Sequence, residues 1–377
     1  EYAIGNIAVA VSWAGYFRQL LAGLGLHLPA WLCTDVARGL HTPEILASAP
    51  RVLGVPILCN IPAFLIVVLI TTLLVVGVKE SASFNKIMVV IKLLVVAGFL
   101  VVGARYVQPA HWEPFAPNGF RGVMTGAATV FFSYIGFDAV STVAEEAKNP
   151  QRDLPLGMIG SLILCTLLYI AVTLVLTGLS PWQRLGSENA LVDALAQNGI
   201  HWAAGVLSFG AVIAITAVLL VFQLGQPRIF YSMARDGLLP PVMAKVHPKY
   251  RTPYVGTILT GTFVATFAAF ANIAEVVDLT NIGTLFAFVL VSAGVIFLRK
   301  SDPTRERPFR VPGVPFTPLI SIAACFYLML QLPMVTWIRF GIWLAVGLVF
   351  YFMYGYRHSV LRTGKRPHIE PVSGGGH

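Results

Sequence analysis

Ser133, Tyr134 and Gly136 interrupt an otherwise apolar run at 130–140, and Asp138 follows them. Roughly 20 apolar residues cross a bilayer unaided, so polar groups and a glycine at mid-depth need a reason. A local unwinding supplies one. Where a helix stops, peptide N–H and C=O groups are released and can hold a small zwitterion. Such backbone is tolerated at that depth only where it lines a cavity enclosed by protein. Gly136 is the natural pivot, because glycine accepts dihedral angles that a helix forbids. A continuous helix with a small-residue packing face would use the same Gly and Ser.

Lys92 is the second unusual residue. It lies about nine residues into the apolar run KIMVVIKLLVVAGFLVVG, roughly 13 Å deep at ~1.5 Å per residue. A lysine stem reaches only about 6 Å, so snorkelling to the interface suits Lys86 better than Lys92. Mid-span, its ammonium would end in lipid or in protein, and burial readily depresses a lysine pKa. Asp138 has two roles open to it: capping a half-helix that starts at the break, or attracting a cationic side chain. Glu145, Glu146, Lys148, Arg152 and Asp153 then close the segment with a charged turn.

These residues sit in a chain of 377 that is 56% hydrophobic and only 11% charged, with a mean hydropathy of +0.76. Soluble domains carry about 25% charged residues, so the composition is that of an integral membrane protein. The net charge of +9 does not point to nucleic acid, because the basic residues follow the loops and do not cluster with stacking aromatics. Cys33, Cys59, Cys165 and Cys325 are scattered without a disulfide or metal spacing, and the eight histidines pair with no Cys or carboxylate at such a spacing. No phosphate-binding loop is present, so neither an enzyme nor ATP-driven transport is expected.

Ten runs are long and apolar enough to be candidate spans: about 2–23, 54–78, 83–104, 122–146, 156–179, 202–226, 254–272, 276–299, 315–335 and 337–357. The longest connections are 24–53 and 227–253. Eighteen of the 26 Lys and Arg fall in one set of alternate loops and the C-terminal tail, and seven on the other side. The positive-inside rule puts the C-terminus in the cytoplasm and sends the first helix outward. The opening at Glu1, directly before an apolar run, reads as a chain missing its N-terminus, and the closing SGGGH as a flexible tail.

Three segments, FFSYIGFDAVSTVAEEAKNPQRDLPLGM (Phe131–Met158), ESASFNKIMVVIKLL (Glu80–Leu94) and GQPRIFYSMARDGLLP (Gly225–Pro240), resemble signatures of the amino acid–polyamine–organocation superfamily, and within it the bacterial branch related to cationic amino acid transporters. RTPYVGT (Arg251–Thr257) is similar as well, and the likeness runs from Glu1 to about Arg357. It implies an all-α polytopic protein with a LeuT-type five-plus-five inverted repeat plus two C-terminal helices, the first two family helices being absent from this chain. Residues 1–104 would then be the remainder of the first repeat (family helices 3–5). Residues 122–299 would be the second repeat, its broken helix at about 132–137. Residues 315–357 would hold the two extra helices and 358–377 a cytoplasmic tail.

The resemblance also assigns roles. Carbonyls at Phe132, Ser133, Tyr134, Ile135 and Gly136 would accept the substrate's α-amino hydrogens, with Phe132 closing over it and Ile135 lining its side-chain pocket. As in proton-coupled members of the family, Lys92 would respond to protonation where sodium-coupled relatives hold an ion, and Glu1 matches a carboxylate near the cytoplasmic start of its helix that would serve proton transfer or mark the membrane boundary. Thr216, without an adjacent serine, is the remnant of that ion site on the eighth family helix. Glu145, Glu146, Arg152 and Arg228 would join a cytoplasmic gate, and Gly225–Pro240 would supply a short interfacial or gate helix. The expectation is a proton-coupled symporter of neutral or cationic L-amino acids in the bacterial cytoplasmic membrane, working by alternating access. It uses no cofactor and no metal, and sodium is disfavoured because a cation at Lys92 would repel it. An amino acid or polyamine exchanger and a non-transporting sensor remain as rivals. Partners are the substrate and the lipid bilayer, with an accessory membrane peptide or self-association left open.

Overall fold

The computed structural model describes residues 2–77, 82–140, 149–187, 189–304, 306–307 and 309–364, with backbone alone for 82–85. The chain is built almost wholly of helices. In order these are α1 (Tyr2–Gly23), the short α2 (Val36–His41) and α3 (Pro43–Ser48), α4 (Ile61–Val76), α5 (Ala82–Gly103), α6 (Gly119–Val130), α7 (Pro150–Leu179), α8 (Ala190–Gln197), α9 (His201–Arg235), α10 (Tyr254–Phe270), α11 (Ile273–Ser301), α12 (Phe316–Met329) and α13 (Met334–Phe350). A two-residue hairpin, β1 (Arg51–Val52) with β2 (Val55–Pro56), lies ahead of α4.

Six described helices are long and apolar enough to cross a membrane, and α4, α10 and α12 are shorter apolar helices. The chain is therefore an all-helical polytopic membrane protein. Two expectations need correction. The run from 54 does not begin a helix: β2 and an extended stretch occupy it, and α4 starts only where the Asn60 side chain accepts the Ala63 N–H, 3.2 Å away. Likewise 227–253 is not all connection, because α9 continues through Pro227 to Arg235. Pro227 breaks one hydrogen bond, but α9 is packed against α1, α4 and α10 through this region, and tertiary packing overrides the local signal. Arg228 and Arg235 thus lie on the last turns of a long helix, not on a separate interfacial one.

Two compact units emerge. The larger comprises Tyr2–Glu113, Ile170–Val276 and the residues from 348 onward. Its centre is α1 against α9, with α4, α5 and α10 alongside. Small residues make the contacts close: Ala8, Ala10 and Ala14 on α1, and Val264, Ala265 and Ala268 on α10, are buried. Gly210 of α9 lies under Val95 of α5, where a Cβ would collide with the Val95 side chain. Phe99, Leu179, Leu195, Ala204 and Leu207 form a second apolar cluster in this unit.

The loops of this unit gather at two ends. At one, Thr252 Oγ1 donates to the Val75 carbonyl (2.8 Å) and Val360 N–H to the Asp236 carbonyl (3.0 Å). At the other, Asn60 N–H donates to the Ala269 carbonyl (2.7 Å), Asn272 Nδ2 to Asp35 Oδ1 (3.3 Å), and Gln108 N–H to the Gly178 carbonyl (2.9 Å). The smaller unit comprises Pro114–Tyr169 and Val277–Gly347. In it Ala128, Ile282, Leu285, Met329 and Leu332 form the core, with Phe131, Trp337 and Phe340 packed around them.

Candidate functional site

Within the smaller unit the helix that begins at Gly119 does not continue to Val140 as one ladder. α6 ends at Val130, a 3-10 turn covers Phe131–Tyr134, and a second 3-10 turn covers 137–140. Between them Ile135 is extended (φ −63°, ψ 136°) and Gly136 has φ +113°. That positive φ lies in a region essentially reserved for glycine. The Ile135 N–H turns back to the Phe132 carbonyl (3.1 Å), and the Ala139 N–H to the Gly136 carbonyl (3.1 Å). Among the described residues no hydrogen bond ends on the carbonyl of Tyr134 or Ile135.

Asp138 serves the break directly. Its Oδ1 accepts the Gly136 N–H at 3.1 Å, which satisfies a donor that the interrupted helix would otherwise leave open. A carboxylate at the start of the second half also suits the positive end of that segment. The first half is held from α7: Tyr169 Oη donates to the Ser133 carbonyl (2.6 Å), and the Tyr134 and Tyr169 rings meet edge-on at 5.2 Å. Phe288 of α11 lies between the two halves, its ring centroid 6.1 Å from that of Phe131 and 5.5 Å from that of Phe137.

Asn281 on α11 was not singled out from the sequence. It is fully buried and its Nδ2 donates to the Ala128 carbonyl (2.9 Å) and reaches the Thr129 carbonyl (3.4 Å), just before the interruption. A lone Asn in an apolar helix was the available signal. Phe132, Tyr134, Ile135, Gly136 and Asp138 are half-buried and Ser133 is more exposed, so the structure gathers all six residues at the unwound segment.

The remaining residues named from the sequence lie elsewhere. Lys92 is half-buried in the larger unit and follows Met88 and precedes Val95 and Phe99 at helical spacing, on the face of α5 that packs against α9. It is therefore not on the lipid-facing side of its helix. Thr216 of α9 donates to the Val212 carbonyl (2.7 Å) and accepts Trp13 Nε1–H (2.9 Å), so its hydroxyl is engaged within the fold. Arg152 is exposed in the first turn of α7, and Arg228 is half-buried next to Pro227. Glu1, Glu145 and Glu146 lie outside the described residues. Among the described residues no cluster of His, Cys, Asp and Glu has metal-binding geometry.

Comparison with known proteins gives a consistent picture. Residues 1–354 match the family model described as amino acid permease. The branched-chain amino acid permease BcaP of Bacillus subtilis (strain 168) is 47% identical over 362 residues, covering 96% of this chain and 75% of that protein. The methylthioribose transporter of the same organism is 46% identical over 361 residues, with the same coverage of both chains. Cationic amino acid transporter 9, chloroplastic, of Arabidopsis thaliana is 36% identical over 305 residues, covering 80% of this chain and 51% of that one.

Proposed function

Because the chain belongs to the amino acid permease family, and is thus a multi-pass transporter and not an enzyme, we propose that it carries L-amino acids across the cytoplasmic membrane by proton-coupled symport, the C-terminus lying inside. The observation that carries this reading is the interruption at Ile135–Gly136. Beside Gly136, whose φ of +113° favours glycine, it presents the carbonyls of Tyr134 and Ile135, on which no hydrogen bond ends among the described residues. The substrate ammonium would be held by those carbonyls, and its carboxylate would face the N–H end of the following segment. Phe132 would close over the solute and Ile135 would line its side-chain pocket.

Lys92 is the coupling residue in this scheme. A charged ammonium on the α9-facing side of α5 would brace the two helices, and loss of its proton would relax them. On the sodium alternative, Thr216 stands without an adjacent serine, and its hydroxyl already spends one of its two lone pairs on Trp13 Nε1–H.

Neutral branched side chains are the first substrates to test, given the Bacillus permease. Methylthioribose is a second candidate because its transporter is almost equally similar. The deciding experiment is uptake of radiolabelled L-leucine into vesicles holding the full-length protein, with and without an imposed pH gradient, competed by methylthioribose. Accumulation driven by the gradient, lost in Lys92→Ala while leucine binding survives better than in Phe132→Ala, is the expected result. Gradient-driven accumulation unchanged in Lys92→Ala overturns the coupling assignment. Movement only against a counter-substrate makes the protein an exchanger, and binding without movement makes it a sensor.

A further inference from the structure

The connection from α9 to α10, in the larger unit and apart from the unwound segment, folds around a single imidazole. His247 is half-buried, and its Nδ1 accepts the Lys249 N–H (3.2 Å) and the Tyr250 N–H (3.3 Å). Only a neutral ring with its proton on Nε2 can accept there. The backbone closes the same loop: His247 N–H donates to the Thr252 carbonyl and Arg251 N–H to the His247 carbonyl, both at 2.8 Å. Arg251 takes φ +55°, uncommon for a residue with a Cβ. The imidazole packs against Tyr250 and Tyr254, their ring centroids 4.7 Å and 5.6 Å away.

This loop holds the end of α4. Thr252 Oγ1 donates to the Val75 carbonyl (2.8 Å), one of the C-terminal carbonyls that a helix leaves without an internal partner. Gly77 caps α4 at φ +78°, and a Cβ there would come 3.1 Å from the Tyr250 carbonyl oxygen, so the loop backbone lies directly on the cap. Beyond Gly77 the chain runs on to α5, the helix that carries Lys92.

Protonation of Nδ1 puts an N–H where two N–H groups already point, and both bonds are lost. Imidazole is the side chain that changes charge between about pH 5 and 8. The described surroundings offer such a cation no counter-ion. Lys245, Lys249 and Arg251, the charged side chains of the loop, are all cationic. α4 and Pro241–Ala244 carry no ionisable group, and α10 carries only Tyr254. Arg235 and Asp236 end α9, and no ion pair joins Asp236 to His247 among the described residues. Lys79 and Glu80, which follow α4 in the sequence, lie outside the described residues. The folded loop is therefore stable at neutral pH and loosens as the pH falls. We propose that His247 is an acid-sensitive latch: neutral, it pins the α9–α10 loop on the end of α4, and protonated, it releases that end and slows transport. The slowing rests on the transport reading above; the latch itself rests on the loop. In the proposed orientation the loop faces the cytoplasm, where a proton symporter delivers its protons, so the latch limits uptake as the interior acidifies.

The test compares the full-length wild type with His247→Asn in nanodiscs. An Asn side-chain oxygen accepts nearby backbone N–H groups, as in Asx turns, but does not titrate. The first readout is hydrogen exchange of the amides of 249–252 at neutral and acid pH (about 7.5 and about 5.5). Exchange should be equal in the two proteins at neutral pH and about tenfold faster in the wild type at acid pH. Comparing both proteins at one pH cancels the intrinsic pH dependence of exchange. Equal exchange at acid pH overturns the latch and leaves the transport reading intact. If His247→Asn fails to fold, His247→Ala decides: the wild type should match it at acid pH and exchange about tenfold more slowly at neutral pH. The second readout is L-leucine uptake into vesicles whose interior is buffered at either pH under the same imposed gradient. Interior acid should slow the wild type severalfold and spare His247→Asn. Equal slowing of both proteins overturns the control of transport by His247. No gradient-driven uptake in either protein, with the exchange difference intact, upholds the latch and removes the transport reading together with the control that rests on it.

Discussion

Replacing Gly136 by alanine should reduce substrate affinity more than any comparable change on the lipid face of the same helix. Gly136 stands at φ +113°, which a Cβ-bearing residue occupies at a cost of about 1–3 kcal/mol. Alanine also favours the competing continuous helix by about 0.8–1 kcal/mol relative to glycine. Both effects disfavour the unwound form, by about 2–4 kcal/mol together. At about 1.4 kcal/mol per decade that is a ~30- to 700-fold shift in population. Substrate that needs the unwound carbonyls then binds more weakly by up to the same factor. The assay is equilibrium binding of L-leucine with parallel initial-rate uptake in vesicles. Gly126→Ala is the control, because that glycine lies in regular α6 with open space around its Cβ position. Equal leucine affinity in the Gly136 and Gly126 variants would refute the reasoning, since it would mean that the interruption is not used for binding.

Three further outcomes are expected. Asp138→Asn should keep most uptake of neutral and cationic substrates alike, since an amide oxygen can still accept the Gly136 N–H, whereas Asp138→Ala should lower both by the ~0.5–2 kcal/mol of a lost cap; selective loss of cationic uptake in Asp138→Asn would instead make the carboxylate a substrate contact. Asn281→Leu should lower the melting temperature of the purified protein by several degrees, because it removes about 1–3 kcal/mol of buried hydrogen bonding to Ala128 and Thr129; an unchanged melting point would dismiss Asn281 as the residue that fixes the start of the interruption. Burial pushes the Cys33 thiol up and the Arg18 guanidinium partly offsets this, so Arg18→Gln should move the pH profile of Cys33 alkylation to higher pH, with slower reaction at neutral pH; a shift to lower pH would contradict the placement of that charge.

Much of the architecture was legible in the sequence because membrane solvent imposes it. Apolar run lengths located the long helices, and the glycine and hydroxyl residues at 133–136 marked the interruption. What escaped detection depends on partners distant in the chain. Pro227 reads locally as a stop, yet α9 passes through it because α1, α4 and α10 pack around it. Thr216 reads as a spare hydroxyl until Trp13, some two hundred positions away, is seen to donate to it. Asn281 bonds to carbonyls, which carry no sequence signature at all. The short α8 is only eight residues long and falls below any span-counting window.

The central claim is that solute is gripped by the peptide groups of the unwound segment, and its most direct test is chemical protection there. With Cys33, Cys59, Cys165 and Cys325 replaced, Ser133→Cys offers a single thiol at an exposed position of the segment. Saturating L-leucine should slow its alkylation by maleimide at least tenfold in the full-length transporter. An alkylation rate unaffected by leucine, in a preparation that still takes up leucine, would contradict the account.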